Sequence, residues 1–231
     1  MRAAILRGRG RAPTAGPRVR AGSAAGADRV LRHPAAKPVV FALCLLPLAM
    51  LLAGALGGTL GANPAEALIR STGDWTLRFL CLALAVTPLR QATGWHALAR
   101  WRRMLGLFVF FYACLHFLAY AWLDMGLVLS DIVRDVGKRP FVLAGSAALL
   151  LLAALAATSF DAAVRALGGR RWRALHRAVY AAALLALLHF FWMRAGKNDF
   201  AEVGVYAAVV AVLLGWRIGK NLIQSRVAAG N

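Results

Sequence analysis

Read for apolar and polar positions alone, the chain divides into a polar head and six apolar runs. The runs lie near Val39–Leu60, Thr72–Leu89, Met104–Leu123, Pro140–Phe160, Ala174–Met193 and Val203–Ile218. Each is close to the ~20 residues that a helix needs to cross a bilayer. A stretch such as AALLLLAALAAT is apolar all the way round and cannot lie on a water-facing surface. The pattern predicts an all-α integral membrane protein, a six-helix transmembrane bundle over residues 39–220. Pro47 in the first run is tolerable because a neighbouring helix can satisfy the carbonyl it frees. Gly54, Gly58 and the Gly57–Gly61 pair offer small surfaces for helix packing.

Composition supports the membrane reading. Apolar side chains make up 61% of the chain and charged ones 16%, against about 45–50% and about 25% in an ordinary soluble domain. The 28 Lys and Arg outnumber the 9 Asp and Glu, for a net charge of +19. Such an excess suggests nucleic acid, but the polar residues are too few to solvate a globule of this size. A soluble nucleic-acid-binding protein is excluded.

Residues 1–38 carry nine basic side chains against Asp28, spaced by Gly, Ala and Pro without an apolar period. They read as a flexible basic cytoplasmic tail able to lie on anionic lipid, with residues 221–231 as a shorter cytoplasmic C-terminal tail. The first apolar run is too long for a cleavable signal. The two tails and the even-numbered connections hold 21 basic residues; the odd-numbered connections and their flanks hold 7 and most of the acids. By the positive-inside rule both termini are cytoplasmic. The acidic stretch Asp124–Asp135 then reads as a solvated outer loop.

Chemistry-bearing side chains inside the runs are few. Cys44, Cys81 and Cys114 are far apart and read as buried thiols, with no spacing for zinc, a redox pair or covalent haem. Arg78, four residues after Asp74, suits snorkelling or an ion pair with that acid. His33 and His96 fall in basic polar segments and read as surface residues. His116 and His189 do not.

His116 lies 13 residues beyond Arg103, and His189 lies 12 beyond Arg177. Both are therefore ~18–20 Å in from the cytoplasmic boundary on parallel helices, level with each other. Two level imidazoles can grip a planar metallocycle from both faces, which points to bis-His b-type haem. Phe110, Phe111, Tyr112, Phe117, Phe190, Phe191 and Trp192 surround them, and Ala113 and Ala181–Ala183 leave room. His176 precedes His189 by 13 residues, which turns the two rings about 140° apart on an ideal helix. It reads equally as a ligand of another haem or as part of the basic interfacial cluster RWRALHR. A membrane transporter with proton-relay histidines and a ferric-reductase-type cytochrome b are the alternatives at this point. No GxGxxG-bearing nucleotide-binding unit is present in the sequence.

Three stretches carry a resemblance: NPAEALIRSTGDWTLRFLCLALAVTPLRQATG, RRMLGLFVFFYACLHFLAYAWLD and RRWRALHRAVYAAALLALLHFFW. With STGDW, TPLR, RRMLGL and LHR in that order, residues 63–220 resemble the MsrQ (YedZ) family of the ferric-reductase-like transmembrane group. The resemblance implies an inner-membrane electron carrier with one or two haem b and with FMN. Its donor would be the quinone pool or a cytoplasmic flavin reductase. Its acceptor would be a periplasmic molybdopterin-dependent subunit that reduces methionine sulfoxide in oxidised proteins. Carried over by position, His116, His176 and His189 match the family's haem-associated histidines. Where the oxidase relatives bear a second ligand earlier on helix three, this chain has Arg102 and Arg103.

Overall fold

The computed structural model describes residues 19–196 and 198–229, and among these residues every regular element is a helix. In chain order the α-helices are α1 (Val19–Arg32), α2 (Ala36–Leu56), α3 (Pro64–Thr93), α4 (Arg102–Ala119), α5 (Leu129–Lys138), α6 (Pro140–Ala157), α7 (Asp161–His176), α8 (Ala178–Ala195) and α9 (Ala201–Ala229). A 3₁₀ segment, His96–Trp101, leads into α4, and a π turn, Tyr120–Asp124, ends it.

Among the described residues, five helical stretches are long and apolar enough to cross a membrane: Ala36–Leu56, His96–Asp124, Pro140–Ala157, Asp161–Ala195 and Ala201–Ser225. The remaining expected span, Thr72–Leu89, lies inside α3, a 30-residue helix. Glu66, Arg70, Asp74, Arg78 and Arg90 make α3 more polar than the other five. Its ends are well specified. The Asn63 side chain accepts from the Glu66 N–H, Pro64 opens the helix, and Gly94 closes it in the left-handed conformation.

α3 packs along α4, and α6 packs along α8; these two pairs form the body of the bundle. Leu80, Leu84, Val109 and Tyr112 are almost completely buried where they meet, and Ala182 and Ala183 are fully buried, letting α8 approach closely. Outward-facing side chains such as Leu150, Val212 and Met50 stay exposed, as lipid contact requires. The proline break in α2 is closed from α4: the Tyr112 hydroxyl donates to the Cys44 carbonyl at 2.8 Å and accepts from the Leu48 N–H at 3.2 Å. These two groups would otherwise pair with each other across Pro47. All three cysteines are free thiols.

Several segments differ from the pattern-based expectation. Residues 19–32 of the basic head are helical, and Asp28 accepts from the Ala97 N–H at 2.6 Å, tying α1 to the 3₁₀ segment. The acidic stretch expected as a solvated loop contains the amphipathic α5. In it Ile132 is buried, and the buried Asp135 accepts from Tyr120 and pairs with Arg139. Gly54 makes room for its own helix end, since a Cβ there would lie 2.8 Å from Leu60. It does not mark a seam with a neighbour. Gly168, at φ 70° and ψ 152°, kinks α7 before His176.

Candidate functional site

α4 and α8 carry His116 and His189 to the same level, and the two rings face each other with centroids 5.9 Å apart and planes at 75°. Each ring is anchored on the helix beside it. His116 Nδ1 bonds to the Ile69 carbonyl of α3 at 2.8 Å, and His189 Nδ1 bonds to the Phe141 carbonyl of α6 at 2.7 Å. A carbonyl can only accept, so Nδ1 carries the proton in both rings and Nε2 keeps its lone pair. Both rings line one cavity of about 250 Å³ between α3, α4, α6 and α8.

That cavity is apolar around the imidazoles and charged at one end. Ala113, Phe117, Ala148 and Phe190 form walls, and Arg70, Asp74, Asp124, Arg139 and Arg194 gather at the rim. The rim arginines are held by acids: Arg139 by Asp135, Arg194 by Asp199 and Glu202, and Arg70 by Glu66. Of the aromatic residues flagged around the histidines, Phe117 and Phe190 line the cavity, whereas Tyr112 is committed to the α2 break and Phe111, Phe191 and Trp192 are exposed. Arg78 donates to the Tyr206 hydroxyl and lies over the Trp75 ring.

The arrangement fits a planar metal macrocycle. With each imidazole nitrogen about 2 Å from a metal and its ring centre about 1 Å further, opposed ligands would place their centroids about 6 Å apart. The observed separation matches. Among the described residues no group of three or more His, Cys, Asp or Glu gathers to form a protein-only metal shell. Two axial nitrogens serve a metal whose remaining ligands come from the macrocycle.

His176 stands apart. It closes α7 one residue before α8 begins, and Arg177 between them keeps a helical backbone at φ −70° and ψ −18°. The His176 Nε2 lies 3.3 Å from the Thr158 hydroxyl, and its ring stacks on Trp172 at 4.0 Å. It lines a second cavity of about 390 Å³ with Arg102, Arg103 and Arg217, and Leu152 borders both cavities. Arg217 holds α9 to the bundle through the Tyr180 hydroxyl and the Leu84 carbonyl, each at 2.7 Å. His33, just after α1, and His96, at the start of the 3₁₀ segment, line neither cavity. Gly73 and Gly145, on which the two clamp rings rest, were not singled out by pattern reading for that role.

Four helices holding two opposed, carbonyl-anchored imidazoles define a class: a multi-pass helical membrane protein with a bis-imidazole clamp. Residues 72–187 match the family described as ferric reductase like transmembrane component. The chain is 60% identical over 207 residues to the protein-methionine-sulfoxide reductase heme-binding subunit MsrQ of Polaromonas naphthalenivorans, covering 90% of this chain and 94% of that one. It is 51% identical to the subunit of the same name from Ralstonia nicotianae, over 85% of this chain and 92% of that one. The corresponding figures for Rhodospirillum rubrum are 49%, 78% and 85%. The chain belongs to the MsrQ family of ferric-reductase-like transmembrane proteins. No solved structure matches it.

Proposed function

We propose that the chain is a b-type cytochrome subunit of the bacterial inner membrane that passes electrons to a periplasmic, molybdopterin-dependent methionine-sulfoxide reductase. The observation that carries this reading is the pair of imidazoles, each fixed through Nδ1 to a neighbouring helix and facing the other across one cavity. Bound between them, haem supplies reversible one-electron transfer.

His116 and His189 would hold the haem iron. Donation of Nδ1–H to the Ile69 and Phe141 carbonyls fixes their tautomers and raises their basicity. Phe117, Phe190, Ala113 and Ala148 would keep water from the bound group, and Arg70, Arg139 and Arg194 at the rim would offer positive charge to its acidic substituents. The two cavities enter the path in sequence. With six crossings, α3 included, and both termini cytoplasmic, the His116–His189 cavity faces the periplasmic side and the His176 cavity the cytoplasmic side. His176 is the candidate ligand of a second haem. Its guanidinium-lined chamber suits electron entry from the quinone pool or a cytoplasmic flavin reductase, and the FMN implied by family resemblance belongs on this side. Turnover of the sulfoxide is assigned to the periplasmic partner.

Reconstitution tests this. The purified subunit is reduced with quinol, or with a flavin reductase and its nicotinamide donor, and haem reoxidation and sulfoxide loss are followed. Both should appear only after the periplasmic reductase is added. Sulfoxide loss without that partner, or no reoxidation with it, would reject the conduit role and favour a metal reductase or transporter.

A further inference from the structure

Each clamp ring makes the same two contacts on the helix beside it. His116 bonds to the carbonyl of Ile69, and four residues further along α3 it lies against Gly73, where an added Cβ would be 3.0 Å from Cε1 and 3.1 Å from Nδ1. His189 bonds to the carbonyl of Phe141, and four residues further along α6 it lies against Gly145, where a Cβ would be 2.9 Å from Nδ1 and 3.1 Å from Cε1. The two halves of the bundle thus repeat one device: a carbonyl acceptor, then bare backbone one turn on. Gly106, Gly204 and Gly215, also within helices, have nothing within 4 Å of the Cβ position.

We propose that Gly73 and Gly145 are positioning residues that set the planes of the His116 and His189 imidazoles and thereby tune the haem held between them. The inference rests on the axial ligation proposed above. The hydrogen bond fixes one ring atom, and the bare backbone lets the ring lie flush and keep its plane. A methyl group at either site would sit inside van der Waals contact with the ring edge. Helix backbone yields little, so the imidazole must tilt or turn about its Cβ–Cγ bond. Either movement lengthens the Nδ1–H···O=C bond and lowers ligand basicity, which stabilises the ferric state less and raises the potential. It also changes the 75° angle between the planes. Nearly perpendicular axial imidazoles give a strongly axial ferric low-spin EPR spectrum, whereas parallel ones give a rhombic spectrum.

The test compares purified full-length protein with Gly73→Ala and Gly145→Ala, using Gly215→Ala as control. Ferric EPR, redox titration and haem retention are measured on each. The unaltered protein should show the strongly axial signal. Each alanine at the clamp should shift its g-values, raise its midpoint potential and weaken haem retention roughly 10–100-fold. The Gly215→Ala control should change nothing. Clamp variants that bind haem with unchanged g-values and potential would overturn the positioning role. A rhombic, parallel-plane spectrum from the unaltered protein would overturn it too, without need of any variant. His116→Ala and His189→Ala, run alongside, separate the two possible failures. If they abolish the signal that the glycine variants leave unmoved, ligation stands and positioning fails. If they leave the signal intact, the ligation itself fails, and the positioning role with it.

Discussion

Both cavities draw on α3, α4, α6 and α8, the second adds α7 and α9, and both are bordered by Leu152, yet they are built in opposite ways. Around His116 and His189 every constraint is doubled: two rings, two carbonyl acceptors and two glycines, with main chain as the partner each time. Around His176 there is one ring at the end of α7, a hydroxyl at 3.3 Å, a stacked Trp172 and three arginines on flexible stems. Main-chain partners cannot move aside, so the first site is set in advance for one ligand geometry. Hydroxyls and guanidiniums can exchange partners, so the second suits a bound group that arrives, changes charge or leaves.

The largest effect that bears on this contrast is all-or-none. A reporter active only in the periplasm should work when fused after Asp131 and be silent when fused after Gly168 or at Asn231. The reverse pattern would exchange the assigned roles of the two cavities, because the His116–His189 site would then face the cytoplasm.

Next comes the His176 site. His176→Ala should remove part of the reduced-minus-oxidised haem absorbance or shift one potential, while the signal owed to His116 and His189 persists. Complete loss of haem from that variant would show that the two cavities are not independent.

A smaller effect separates scaffold from site. Tyr112→Phe should cost roughly 1–3 kcal/mol, because it strips the Cys44 carbonyl and the Leu48 N–H of their shared partner beside Pro47. Thermal unfolding in detergent should show a lower midpoint with the haem spectrum unchanged. A spectral change would give Tyr112 a place at the clamp.

The smallest effect lies at the cytoplasmic edge. The Ala97 N–H, then the side chain of Arg32, hold the Asp28 carboxyl below its usual range. A carboxyl lowered in the folded state contributes its full share above the ordinary carboxylate pKa of about 3.9, and loses it as pH falls through the folded value. The fluorescence of Trp95 and Trp101 should therefore be steady near neutrality and change only under strong acid. Asp28→Asn should show the released spectrum already at neutral pH.

The meeting of His116 and His189 was legible because depth in a membrane helix is a one-dimensional quantity. Counting from Arg103 and Arg177 placed the two rings level, and the structure brings them together. The glycines beneath them were not legible in the same way. Their role depends on which helix lies alongside and at what height, and no periodicity within α3 or α6 encodes that. STGDW contains Gly73, but nothing in its spacing points to a ring from α4. The aromatic stripe misled for the same reason: Tyr112 sits one turn from His116 yet serves α2. α5 was legible and misread, since Leu129, Ile132, Val133 and Val136 recur at helical spacing among the charges. His176 and His189 share the helical stretch Asp161–Ala195, with only the turn at Arg177 between α7 and α8. α3 shows the limit of hydropathy alone, because its charged first half holds the carbonyl and glycine that the clamp uses.

The central claim is that His116 and His189 are the two axial ligands of one haem. Its most direct test is the reduced-minus-oxidised spectrum of purified, membrane-inserted His116→Ala and His189→Ala proteins, with haem content measured per chain. Each substitution should remove most of the low-spin haem signal, and by a similar amount, while His33→Ala and His96→Ala leave it whole. A full, unshifted low-spin spectrum in both His116→Ala and His189→Ala would contradict the account.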